Sequence, residues 1–183
     1  LGAQPEDPAV LYMYGTLLSQ LKSFGTAILM LKRSIEIEPK VMPEAWHNLG
    51  SAYRNEGHTD EAREAYKECL RLRPGDANTL SMMAGCYVNT GQPGLSVEFA
   101  QKALDVDPDN AHAHNHMSLA LLELGRYKDA WPHYEVRYEL TDYIQARPYE
   151  CPKWDGVTKV DTLAIHGEQG LGDEIMFASV VPD

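Results

Sequence analysis

Three histidines stand in one short run, Ala111-His112-Ala113-His114-Asn115-His116. His112 and His116 are four residues apart and share a helix face, as metal-ligating pairs do. No cysteine or carboxylate stands at matching spacing nearby, and His114 belongs to another face. The run therefore reads as polar sequence opening a helix, and no metal is expected. Cys69, Cys86 and Cys151 are odd in number and form no CxxC pattern. Cys69 and Cys86 fall at inward helix positions and read as small core hydrophobes, while Cys151 reads as a loop thiol without an activating neighbour. A third candidate is the turn Gly167-Glu168-Gln169-Gly170-Leu171-Gly172-Asp173, which follows the apolar stretch 160–166. Glycines there let backbone N–H groups approach an anion at the start of a helix. The spacing fits neither GxGxxG nor GxxxxGK[ST].

The elements that carry these residues are set by a repeat. Gly57, Gly91 and Gly125 recur every 34 residues, as do Pro74 and Pro108. A period of this length marks one supersecondary unit stacked on copies of itself. Segments 8–41, 43–76, 77–110 and 111–144 put the glycines and prolines in register, with Met42 as a single insertion. Each segment predicts two amphipathic helices, with apolar residues three and four apart. The glycines fall where a left-handed residue ends the first helix. Pro93 fits the opening of a second helix, and Pro74 and Pro108 fit its close. Gly50, Ala62 and Ala84 are small enough for two helices to approach closely.

Segment 43–76 carries Trp46-x2-Leu49-Gly50-x2-Tyr53, then Ala62-x3-Tyr66, then Pro74. This resembles the tetratricopeptide repeat (TPR). The resemblance implies a mainly α fold, a TPR α-solenoid of four helix-pair repeats. It also implies a concave groove lined by the first helices that takes a peptide or partner protein. Carried onto this sequence, the groove positions are Ala9, Tyr12, Thr16, Ser19 and Gln20 in the first repeat. They are Glu44, His47, Ser51, Arg54 and Asn55 in the second, and Asn78, Ser81, Gly85, Val88 and Asn89 in the third. The fourth supplies His112, Asn115, Leu119, Leu122 and Glu123. The TPRs that clamp the carboxylates of chaperone tails need several groove Lys or Arg. Only Arg54 is available, so such tails are not the expected ligand.

The last helix, 127–138, contains Pro132 beyond its first turn, which removes a backbone hydrogen bond and bends the helix. Trp131, Tyr134 and Tyr138 form an aromatic stripe on it, serving either the repeat's own core or a further element packed on that end.

After residue 144 the period is lost. Pro148, Pro152, Trp154-Asp155 and Gly156 mark 145–159 as a linker. Residues 160–183 predict a strand, the glycine turn and a helix, the truncated start of an α/β Rossmann-like domain. Trp154-Asp155-Gly156 and Glu168-Gln169-Gly170-Leu171-Gly172-Asp173-Glu174-Ile175, together with Tyr134-Glu135-x-Arg137, resemble bacterial TPR-linked glycosyltransferase-like proteins. The C-terminal part of those proteins is similar to the family-nine heptosyltransferases of GT-B fold. That resemblance implies Asp173 as a catalytic base, with Gly170 and Gly172 shaping its loop. It also implies a nucleotide sugar as the ligand of a full-length parent, with no cofactor in this chain. As it stands the chain holds only the first strand-loop-helix of such a domain, so catalysis by it alone is not expected. In TPR-linked O-linked N-acetylglucosamine transferases, Asn recurs one position before the Leu-Gly pair. Met13, Asn48, Met82 and His116 stand there, so only Asn48 keeps that pattern.

Composition bounds what remains. The 183 residues are 44% hydrophobic and 23% charged, with 16 Lys and Arg against 27 Asp and Glu, a net charge of −11. That balance disfavours nucleic acid and anionic membranes. No apolar run reaches the ~20 residues of a membrane span. The sequence opens on Leu1 rather than Met, without a leader pattern, which points to excision from a longer polypeptide. Unpaired cysteines suit a reducing, cytoplasmic compartment. The expected partner is a protein or peptide in the groove, either as an interaction module or as the acceptor-selecting part of a glycosyltransferase. Self-association through the unpaired strand edge is a further alternative.

Overall fold

The computed structural model describes residues 7–38, 42–134 and 136. These form eight helices and no strand: α1 (Pro8–Gln20), α2 (Phe24–Ile37), α3 (Pro43–Asn55), α4 (Thr59–Leu72), α5 (Ala77–Asn89), α6 (Pro93–Val106), α7 (Ala111–Glu123) and α8 (Tyr127–Tyr134). The linker at 145–159, the predicted strand-loop-helix at 160–183 with Gly170, Gly172 and Asp173, and also Tyr138 and Cys151, lie outside the described residues.

The helix ends follow from local chemistry. Three first helices open on side-chain caps: Asp7 accepts from Ala9 N, Asp76 from Thr79 N and Asn110 from Ala113 N. Each cap satisfies a backbone donor that the helix itself leaves free. Pro8, Pro43 and Pro93 occupy first turns, where the missing N–H costs nothing.

Every first helix closes in the same way. His58 N bonds Tyr53 O while Gly57 N bonds Arg54 O, and the pattern repeats at Gln92/Gly91 and Arg126/Gly125. This is the Schellman arrangement, with the left-handed residue at C′. Gly57, Gly91 and Gly125 sit at φ +86°, +65° and +71°. The first repeat makes the same bonds through Ser23 N and Lys22 N, but with Lys22 at φ 59°, in a region that non-glycine residues rarely enter.

Helices pack in sequence, α1 on α2, α2 on α3 and so on to α7 on α8, while the first helices also touch one another: α1 with α3, α3 with α5, α5 with α7. The core runs along these seams. Ala27, Ala62, Ser96 and Ala130 mark the same place in the four second helices, and all are fully buried. They face close approaches on the first helices. A Cβ at Gly50 would lie 2.5 Å from Tyr66 Cε1, and one at Gly15 would lie 2.7 Å from Leu31 Cγ. Gly50 thus makes room for the fully buried Tyr66, as its spacing suggested. Cys69 and Cys86 are buried core residues, and burial raises both thiols, Cys86 to about 11. Pro132 lies inside α8, with Trp131 exposed and its ring edge-on to Tyr134, the centroids 5.3 Å apart.

Candidate peptide-binding groove

The first helices α1, α3, α5 and α7 carry the candidate groove residues. Neighbouring first helices are joined by side-chain rungs about one repeat apart in sequence. Asn48 on α3 donates to Thr16 Oγ1 at 3.0 Å and Tyr12 Oη at 3.4 Å on α1. His47 Nδ1 lies 2.8 Å from Thr79 Oγ1 on α5. Asn110, which caps α7, donates to Asn78 Oδ1 at 3.2 Å. The fourth rung is steric: the His116 ring lies against Gly85, where a Cβ would come 2.8 Å from Cε1 and Nε2.

These rungs sort the candidates. Tyr12 is tied to Asn48. Glu44 pairs with Arg73, which also reaches Asp76, so one cation bridges α3 to the α5 cap. The Glu44 carboxyl is held below its usual range by its own backbone amide and by Arg73. Burial pushes the Asp76 carboxyl up, but the Thr79 hydrogen bonds, the His47 charge and Arg73 together hold it below its usual range. His47 is tied to Thr79, its ring tilted 53° against that of Tyr66 with centroids 5.8 Å apart, and burial lowers its pKa. Ser51 shares a hydrogen bond with Tyr66 Oη at 3.2 Å, and burial lifts that phenol to about 12.

Ser81 departs from the expected groove. It is fully buried and its hydroxyl donates to Asn78 O, because the serine sits on the helix face that packs inward. The outward residues are Arg54, Asn55, Asn78, Asn89, His112, Asn115 and Glu123, exposed or half-buried. Sequence reasoning did not find Arg73, Thr79 or Asn110 as partners. The one available signal was the cap spacing, since Asp76 and Asn110 recur 34 residues apart.

The electrostatic centre of this face is Arg54. The His112 and His116 pKa values are lowered, first by burial and then by the Arg54 charge, His116 to about 4. Burial and Arg54 act in the same direction on His47. Arg54 makes no ion pair among the described residues. His116 Nε2 is buried without a partner.

His114 turns away from this face. Its Nε2 donates to Pro108 O at 2.9 Å, so its Nδ1 accepts from His133 Nδ1 at 2.7 Å. The described residues contain no group of three metal-capable side chains and no helix long and apolar enough to cross a membrane. A separate cleft of about 730 Å³ has Ile35, Trp46, Leu49, Tyr53 and Ala65 among its lining residues and none of the groove candidates.

Tetratricopeptide repeat models match residues 8–41, 43–76 and 87–141, more than half of the chain. This is a tetratricopeptide repeat protein. Among curated relatives, the TPR chain is 29% identical to Protein FlbA of Caulobacter vibrioides, over 99% of its own length and 31% of FlbA. It thus spans about a third of that relative. The solved structure of MamA from Desulfovibrio magneticus RS-1 superposes with a TM-score of 0.65 at 23% identity, covering 73% of this chain and 75% of MamA. YrrB, described as a TPR protein with an unusual peptide-binding site, superposes at 0.61 and 19% identity, covering 73% of this chain and 68% of YrrB. These likenesses establish the solenoid fold. TPR proteins mediate protein–protein interaction, and this chain shares that architecture.

Proposed function

We propose that the face built by α3, α5 and α7 binds an extended peptide, with an acidic group of that peptide seated at Arg54. The observation that carries this reading is the uncompensated Arg54 charge. It lies on an amide-rich surface, unpaired among the described residues, and bears on histidines of both α3 and α7. Asn55, Asn89 and Asn115, at the outward positions of α3, α5 and α7, supply amide donors and acceptors suited to peptide backbone. Charge-assisted hydrogen bonds exceed neutral ones in strength, so the acidic group fixes register while the amides fix orientation.

The test is fluorescence anisotropy on peptides selected against the purified chain. Arg54→Ala should weaken acid-bearing ligands about tenfold, the worth of one charged hydrogen bond, and leave the melting temperature in place. Unchanged affinity in Arg54→Ala would refute the seat.

The glycosyltransferase-like context is a second proposal, resting on the motif from Glu168 to Ile175. In a full-length parent, Asp173 would act as base toward an acceptor hydroxyl and a nucleotide sugar would be the donor. Sugar transfer by the parent that persists in Asp173→Asn would end that assignment.

A further inference from the structure

The seam between α3 and α4 lacks the side chains that fill the next two seams. α2 and α4 each pack on α3 and leave between them the cleft of about 730 Å³. In the following repeat Phe99 of α6 stacks on Tyr87 of α5, ring centroids 5.3 Å apart, and Lys102 Nζ stands 4.8 Å from the Phe99 ring. In the last repeat the ring of His133 lies 4.9 Å from that of His114. At the same register α4 carries Ala65 in the place of Phe99 and His133, and Glu68 in the place of Lys102. Tyr53 and Trp46, the counterparts of Tyr87 and His114, therefore border open space where the later repeats hold a ring.

Two features select the occupant. The floor is apolar: Ile35, Leu49 and Ala65 are buried, and Trp46 and Tyr53 are half-buried with ring surface to offer. The rim is acidic, since five of the lining side chains are carboxylates and only two, Lys32 and Arg63, are cations. Glu64 and Glu68 pair with Lys67 and Arg71 of their own helix, but in exposed contacts that contribute little and yield to a better-placed cation. The change from Phe99 and Lys102 to Ala65 and Glu68 removes a ring and reverses a charge together. What the seam lacks is an aromatic side chain with a cation beside it.

We propose that this cleft binds a segment of a partner protein that carries an aromatic side chain flanked by basic residues. The ring takes the space that Ala65 leaves, against Tyr53 and Trp46, and the basic residues face Glu64 and Glu68. The surface belongs to α2, α3 and α4 and shares no residue with the groove candidates.

Fluorescence anisotropy with a labelled peptide tests it, one phenylalanine with a lysine three residues to either side. Saturable binding is expected, weakened at least about tenfold when the phenylalanine becomes alanine or the lysines become glutamates. Ala65→Phe fills the cleft from within, as Phe99 fills the next seam, and should weaken the basic probe by a similar factor. Circular dichroism checks that this variant is folded. Glu68→Lys restores the charge of Lys102 at a side chain that is 41% exposed, so it leaves the core intact and should weaken the probe as well. No saturable binding of the basic probe up to millimolar protein overturns the proposal. So does equal binding of the glutamate version, or an affinity indifferent to both Glu68→Lys and a folded Ala65→Phe.

Discussion

Gly85 is the seat on which the ring of His116 rests, one glycine of α5 beneath one histidine of α7. Any side chain on Gly85 would enter the space of Cε1 and Nε2, 2.8 Å from the place of its Cβ. The contact joins two repeats with no hydrogen bond, since His116 Nε2 has no partner.

Gly85→Ala should therefore cost about 1–3 kcal/mol through overpacking. Adding His116→Ala should return much of that loss, because the methyl gains the vacated space. A double-mutant cycle by urea unfolding reads the coupling. Additive effects would show that the two residues do not bear on each other.

The same histidine sets an acid sensitivity. Its folded pKa of about 4 lies below the ordinary histidine value of about 6.5, so the unfolded chain binds the proton first. Stability is complete above about pH 6.5 and falls as pH drops towards 4, by at most about 3 kcal/mol. His47, His112 and His133 are lowered as well and act in the same direction. Glu44 and Asp76 are also lowered, but from carboxylate values, so their contribution is lost only on further acidification. Thermal melts between pH 7 and 4.5 should show a shallower slope in His116→Leu than in the parent.

Gly50→Leu should be the most damaging of these changes, because any Cβ there meets the buried Tyr66 ring at 2.5–2.9 Å. A loss of at least about 3 kcal/mol is expected, read as a large fall in melting temperature. Even Gly50→Ala should be clearly destabilising.

Lys22→Gly should do the reverse. The lysine holds φ 59° at the place where the other repeats have glycine. Removing its Cβ relieves about 1 kcal/mol of strain, partly offset by the freedom glycine gains when unfolded. A rise in melting temperature of a few degrees is expected. Gly91→Ala, with open space around it but φ +65°, should lower stability by about 1 kcal/mol.

The helix pairs were legible in the sequence because their signals are local. Gly57, Gly91 and Gly125 end first helices through bonds reaching only a few residues back, and Pro93 opens α6 by its own geometry. Gly50 was legible as a close helix approach from its small size and place in the repeat, while the ring it makes room for, Tyr66, came only from the packing. The groove was legible by position but not by availability. Whether Glu44 is open to a ligand depends on Arg73, 29 residues away, and His47 depends on Thr79, 32 residues away. Those partners sit on neighbouring helices, and their side-chain directions follow from packing rather than from periodicity. Ser81 shows the same limit, its polar side chain buried where position suggested a surface.

Because every rung reaches only the next helix, the array has nearest-neighbour cohesion and should fray from its ends. Amide exchange should be slowest in α4 and α5 and fastest in α1. A peptide lying across α3, α5 and α7 would splint three units that otherwise hold only pairwise. Its dissociation would then be coupled to breathing of the solenoid, and occupancy would slow proton exchange well beyond the residues it touches.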